Sequence, residues 1–167
     1  NGATAQQHSS YELNCLTSSD DTSSSSSCVI DFTPSSAYDG TSSYGGFVIQ
    51  DENELSVNGF EFINYQGKGP MFYNQKGSTL TIMNSVFQDN VYTGTSGKNP
   101  FLVYDYGSTP GLATTRIEGC LFTKNYGVLL GFQAGNAFLL NNIFYENGLP
   151  SGSESLFTWT SFIFWKP

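Results

Sequence analysis

Four segments of this chain repeat a single pattern, and that repetition limits the possible folds more than any other feature of the sequence. They are VNGFEFINY from Val57, LTIMNSVFQDN from Leu80, TRIEGCLFTKN from Thr115 and AFLLNNIFYEN from Ala137. Aligned on Phe62, Phe87, Phe122 and Phe144, each has an apolar residue five positions earlier (Val57, Ile82, Ile117, Leu139) and Gly or Asn three positions earlier (Gly59, Asn84, Gly119, Asn141). The last three copies carry Asn three positions after the Phe, at Asn90, Asn125 and Asn147, where the first has Tyr65 next to Asn64. The phenylalanines are 25, 35 and 22 residues apart, and self-similarity at a period of about 20–50 residues marks a solenoid. The longest interval contains YTGTSGKN from Tyr92, a loop insertion by composition.

Apolar runs at 47–49, 71–73, 101–106, 128–132 and 156–159 fall before, between and after the copies. They are short, rich in Val, Leu, Phe and Tyr, and bounded by Gly, Pro, Asn and Ser, which is the signature of strands. No window of a dozen residues shows apolar recurrence at helical spacing. An all-helical repeat would also carry 18 Gly and 6 Pro poorly. Each repeat therefore predicts at least two short strands and two turns.

Equivalent strands of successive repeats would lie parallel, about 4.8 Å apart, with like side chains one above the other. Phe62, Phe87, Phe122 and Phe144 are expected to form an aromatic core stack, and Val57, Ile82, Ile117 and Leu139 an aliphatic one beside it. Asn84 and Asn141 suit a tight bend because Asn tolerates left-handed backbone angles, and Gly59 and Gly119 adopt them freely. Asn90, Asn125 and Asn147 are expected to close the next corner, their amides bonding carbonyls left unpaired by the turn.

These segments resemble the FxxN-type repeats of right-handed parallel β-helix proteins, including polymorphic outer-membrane and autotransporter-like surface proteins. The resemblance covers residues 45 to 150 and departs from the family pattern in lacking a GGAI before each copy, with YGGFVI at Tyr44 the nearest version. It implies an all-β fold, a short right-handed parallel β-helix (solenoid), and extracellular or surface display in adhesion or scaffolding. Other β-helices cleave polysaccharides, so the resemblance fixes no activity. About five coils would make a body roughly 24 Å tall. The expected organisation is a Ser/Thr-rich cap or arm over residues 1–44 and the β-helix over 45–167.

The chain has 167 residues, 16% of them aromatic, with a net charge of −8 and only six Lys and Arg, which are scattered. Nucleic acid is a poor partner for it, since phosphate binding needs clustered cations. No apolar run approaches the roughly 20 residues of a membrane-spanning helix. The chain begins at Asn1, which fits removal of a leader or a fragment equally. Cys15 and Cys28 flank TSSDDTSSSSS, a tract too polar to pack a core. A disulfide between them would stabilise the chain by roughly 3 kcal/mol and implies an oxidising compartment. Cys120 is then left over, as a half-buried free thiol or an intermolecular bridge. Ser23, Ser24, Ser25, Ser26 and Ser27 form a candidate O-glycan acceptor run, and no N-x-Ser/Thr sequon exists.

The segment SLFTWTSFIFWKP concentrates Phe157, Trp159, Phe162, Phe164 and Trp165. An uncovered strand edge of that composition is an aggregation hazard, so it is the expected assembly edge, covered by further solenoid or by another copy head to tail.

Chemistry-bearing residues are sparse. Candidate carboxylates are Asp51, Glu52, Glu54, Glu61, Asp89, Asp105, Glu118 and Glu146, and glycoside hydrolysis needs two of them about 5–9.5 Å apart. Asp89, Lys124 and Glu146 share a repeat position, and Arg116 alternates with Glu118, patterns that solvated turns and strand faces also produce. His8 is the only histidine, which argues against a zinc site or a nucleophilic triad. Asp20 and Asp21, or Asp51 and Glu52, lack the ligand spacing of a calcium loop. Tyr73, Tyr104, Tyr106 and Tyr145 are candidates for stacking on sugar rings. Ice binding would want a Thr ladder, which Thr79, Thr81, Thr114 and Thr115 do not supply in every repeat.

The sequence thus predicts a secreted structural protein that joins identical subunits end to end in an extracellular filament or cell-surface fibre. No catalytic residue, cofactor, metal, nucleic acid or membrane span is expected. A carbohydrate-binding or polysaccharide-cleaving β-helix is the alternative.

Overall fold

The computed structural model describes residues 9–15, 28–33, 46–75, 77–93, 100–106, 113–133, 135–149, 157–159 and 163–166. Among them every regular element is a β-strand, and every strand pairing is parallel. The all-β class and parallel pairing expected from the repeats are both present.

The strands form three main sheets. The first runs β1 (Ser10–Asn14), β4 (Glu54–Asn58), β8 (Thr79–Met83), β12 (Thr114–Glu118), β15 (Asn136–Leu140) and β18 (Ile163–Lys166). The second runs β2 (Cys28–Asp31), β5 (Phe60–Ile63), β9 (Val86–Gln88), β13 (Leu121–Thr123) and β16 (Ile143–Tyr145). The third runs β3 (Phe47–Ile49), β7 (Phe72–Gln75), β11 (Pro100–Tyr106), β14 (Val128–Phe132) and β17 (Phe157–Trp159). Strands β6 (Gln66–Gly67) and β10 (Val91–Tyr92) form a short fourth ladder, continued by bridges from Val91 to Tyr126 and from Tyr126 to Gly148. The chain visits the three main sheets in rotation. Each repeat therefore gives three principal strands, because the aligned pattern splits in two at a bend three residues before its Phe.

Register follows the sequence repeat. Val57 lies opposite Ile82, Ile82 opposite Ile117, and Ile117 opposite Leu139. In the second sheet Phe62, Phe87, Phe122 and Phe144 are partners in the same way. Strands β8, β12 and β15 alternate buried and part-exposed residues, as a sheet with one face on a core must. Val57, Ile82, Ile117, Phe62, Phe87 and Phe122 are fully buried, Leu139 nearly so, and Phe144 packs against them partly buried. Burial of each large apolar side chain contributes about 1.5–3 kcal/mol.

Within the segment expected to be a cap or arm, β1 and β2 are the outermost strands of two sheets. The Cys15–Cys28 disulfide joins the end of β1 to the start of β2, tying the first sheet to the second. Ser23 to Ser27, Phe162, His8, Asp20 and Asp21 lie outside the described residues.

Candidate functional site

Two corners recur in every repeat, and each is built on left-handed backbone. Gly59, Asn84, Gly119 and Asn141 have φ of 81°, 49°, 63° and 54°, which is why only Gly and Asn occupy this position. At Gly119 a Cβ would sit 2.9 Å from Asn84 Oδ1, so the Asn84 amide would have to shift. Just after the bend, Asn142 Oδ1 accepts from Cys120 N–H at 2.9 Å, and its Nδ2 donates to the carbonyl of Ile117 at 2.9 Å. Cys120 is a free thiol, fully rather than half buried, and burial pushes its pKa up to about 11.

The second corner lies two residues after each Phe, where Asn64, Asp89, Lys124 and Glu146 have φ between 53° and 59°. This explains the shared repeat position of Asp89, Lys124 and Glu146: all three point from a tight turn and are exposed. Immediately beyond them the asparagines form a ladder. Tyr65 N–H donates to Asn90 Oδ1 at 2.9 Å, Asn90 N–H and Nδ2 to Asn125 Oδ1 at 3.1 and 2.8 Å, and Asn125 N–H and Nδ2 to Asn147 Oδ1 at 3.0 Å each. Each Nδ2 also donates to the Phe carbonyl of the preceding repeat, from Asn90 to Phe62, Asn125 to Phe87 and Asn147 to Phe122, at 2.8–3.1 Å. Asn90 and Asn125 are buried, so their amides replace water for turn groups that cannot reach it.

The outer face of the third sheet is aromatic and amide-rich. Tyr73 and Tyr104 are register partners with ring centroids 5.7 Å apart, and Tyr106 lies 6.2 Å from Tyr73 and 5.8 Å from Tyr104. Tyr73 is largely covered, Tyr104 intermediate and Tyr106 39% exposed. The Tyr104 hydroxyl donates to Gln133 Oε1, and Gln75 Nε2 donates to Gln50 Oε1 at 3.0 Å. Tyr145, 59% exposed, lies apart on β16 of the second sheet.

On the inner side of the same sheet one cluster is polar. Asn74 and Asp105 are register partners, both fully buried. Asp105 Oδ2 accepts from Thr115 Oγ1 at 2.8 Å, and Thr115 Oγ1 accepts from Asn74 Nδ2 at 2.9 Å. Asn74 Nδ2 also reaches the carbonyl of Thr114 at 3.1 Å, and Thr114 N–H donates to the carbonyl of Ser78 at 3.0 Å, so Ser78 belongs to the same corner. Burial raises the Asp105 pKa to about 6, against the opposing hydrogen bonds of Thr115 and Asn74. Thr115 occupies a core position held by Leu80 in the preceding repeat and Ala137 in the next. That substitution is the one sequence sign of the cluster, and it stands out only once the repeat is aligned on strand register.

Of the other named residues, Arg116 and Glu118 pair on a part-exposed strand face through Nε at 2.9 Å. Asp51 and Glu52 form an exposed turn with φ of 59° and 64°. Phe157 is partly buried with its ring 5.0 Å from that of Phe144. Trp159, Phe164 and Trp165 are register partners of Phe132, Phe138 and Leu139. Among the described residues no helix is long and apolar enough to cross a membrane, and no group of three or more His, Cys, Asp and Glu is placed to hold a metal. Comparisons with family models, with curated proteins and with solved structures gave no match.

Proposed function

We propose that this chain is a short right-handed parallel β-helix acting as a secreted structural module, copies of which meet end to end in an extracellular filament or surface fibre. Parallel strands visited in rotation favour that solenoid, since crossovers between parallel strands are right-handed in about 98% of cases. The observation that carries the assembly is that β1, β2 and β3 at one end and β16, β17 and β18 at the other pair on one side only among the described residues. On β16, Ile143 is 62% exposed. A second copy continuing the three sheets would cover these edges, which proteins otherwise blunt with charge or caps. The disulfide supports an oxidising compartment, and the serine run is assigned to O-glycans. The module is read as non-enzymatic. Sedimentation and negative-stain microscopy of the purified chain test this: concentration-dependent head-to-tail growth is expected, and a monomer persisting at millimolar concentration would overturn it.

A second reading rests on the outer face of the third sheet. Tyr73, Tyr104 and Tyr106, with Gln50, Gln75 and Gln133, offer aromatic rings and planar amides with the chemistry of a neutral glycan site. Titration calorimetry against neutral and acidic polysaccharides decides it, with binding abolished by Tyr104→Ala as the supporting result. Release of reducing ends, lost in Asp89→Ala or Glu146→Ala, would instead favour the cleaving form of this alternative.

A further inference from the structure

The ladder asparagines are followed by Val91, Tyr126 and Gly148, so its last rung alone is an Asn-Gly pair. Each half of that pair answers a separate structural demand. Asn147 serves the ladder: its Oδ1 accepts from the N–H and Nδ2 of Asn125 at 3.0 Å each, and its Nδ2 donates to the carbonyl of Phe122 at 2.8 Å. Gly148 is imposed by its bridge partner Tyr126, whose ring would lie 2.8 Å from a Cβ there. Packing has thus assembled the dipeptide most prone to cyclise, since glycine puts no side chain in the way of the carboxamide carbon and leaves the backbone free to turn toward it.

A second Asn-Gly pair among the described residues, Asn58 and Gly59, is held from both sides. Asn58 has register partners in β1 and β8, its carbonyl accepts from Cys15 N–H at 3.0 Å, and Gly59 N–H donates to the carbonyl of Met83 at 3.1 Å. The Cys15–Cys28 disulfide lies beside it. Asn147 and Gly148 are held from one side. Gly148 N–H donates to the carbonyl of Asn125 at 2.8 Å and its own carbonyl accepts from Gly127 at 3.0 Å, so these bonds, like those of the Asn147 amide, run back to the preceding repeat. The strand before them, β16, pairs only with β13 among the described residues. All four residues are part-exposed, and what separates the pairs is the number of sides from which each is held. One local opening at the end of a sheet frees the Gly148 nitrogen and the Asn147 carboxamide together, and such openings cost far less than global unfolding.

We propose that Asn147 is a self-modification site, converted to aspartate and isoaspartate when the last corner opens. The Gly148 nitrogen, its proton taken by hydroxide, attacks Asn147 Cγ. The new N–Cγ bond forms, the Cγ–Nδ2 bond breaks, and ammonia leaves with a proton from water. A second water opens the five-membered imide, at Cγ to give aspartate or at the main-chain carbonyl to give isoaspartate, in which the chain runs through Cγ. No oxidant or cofactor takes part. Either product loses the Nδ2 donor to the Phe122 carbonyl and adds a negative charge to a chain already at −8. Isoaspartate also lengthens the backbone at a corner set by stacking. The change is irreversible and belongs to the single chain, whether or not copies meet at this end.

Ageing of the dilute full chain at pH 8.5, followed by digestion at acid pH and mass spectrometry of the peptides holding Asn58 and Asn147, tests the site. Each conversion rate is referred to the rate of the same site in the reduced chain in denaturant, which removes the effect of neighbouring residues. On that scale Asn147 is expected to convert at least about tenfold faster than Asn58. Replacing Cys15 and Cys28 with serine should speed Asn58 and leave Asn147 unchanged. The aged fraction, separated by anion exchange, should exchange amide hydrogens faster over β16 than the fresh chain does. Equal scaled rates at the two sites, or a faster Asn58, would overturn the assignment. So would an Asn147 that stays intact in the folded chain through about a hundred half-lives of the denatured one.

Discussion

The rings of Phe87 and Phe122, on neighbouring strands of the second sheet, lie 4.7 Å apart and within 4° of parallel. Phe62 and Phe144 extend the stack at 5.0 and 4.7 Å. Register imposes this, since like side chains on parallel strands have nowhere else to go. Phe122→Ala should destabilise the chain by about 3–5 kcal/mol. In a double-mutant cycle with Phe87→Ala, chemical denaturation should show a coupling of about 0.5–1.5 kcal/mol. Additive losses would mean that the rings contribute area alone.

Asn125 has the most committed side chain in the ladder. Its Oδ1 accepts twice from Asn90, and its Nδ2 donates to Phe87 and Asn147. Asn125→Ala strands several buried groups, each costing about 1–3 kcal/mol, so a loss above about 3 kcal/mol is expected in urea titrations. Asn84→Ala at the exposed bend, where left-handed backbone and one exposed hydrogen bond to Asn58 Oδ1 are at stake, should cost about 1–2 kcal/mol.

Asp105 should make stability depend on pH in an uncommon direction. Its folded pKa is raised from 3.8 to about 6, so its contribution is complete below the unfolded value and lost as pH rises through the folded one. Stability should fall by about 3 kcal/mol between pH 4 and pH 7 on account of this group. Asp105→Asn should flatten the profile, as read by denaturation midpoints across that range.

Cysteine chemistry separates the three thiols. In the native oxidised protein, a thiol reagent at pH 8 should label none, because Cys15 and Cys28 are bonded and Cys120 is buried with a pKa near 11. Denaturation should expose one thiol, and denaturation with reductant three. Replacing Cys15 and Cys28 with serine should cost about 2–4 kcal/mol and free β1 and β2 from their shared corner.

The repeat was legible because its residues answer to one another. Phe87 predicts Phe122, and Gly119 predicts Asn84, since stacking demands the same solution at each level. The disulfide was legible from the polar tract that it closes. Asp105 was not, because its partners Asn74 and Thr115 lie 31 and 10 residues away and occur once each. Strand β11 also adjoins the longest inter-repeat interval and carries a register irregularity between Pro100 and Val103, so its inner face could not be read by counting. The second corner was half legible: the asparagines marked it, but Lys124 and Glu146 are poor predictors of left-handed backbone.

The asparagine ladder is a one-way street. Along it, main-chain N–H groups give forward to side-chain oxygens, from Tyr65 to Asn90 to Asn125 to Asn147, while each Nδ2 also gives back to the Phe carbonyl of the preceding repeat. Its two extremities are chemically unlike, one spending donors and the other holding an acceptor. Any string of copies that prolongs this row must have every member facing the same way, so the fibre would possess a growing tip distinguishable from its tail.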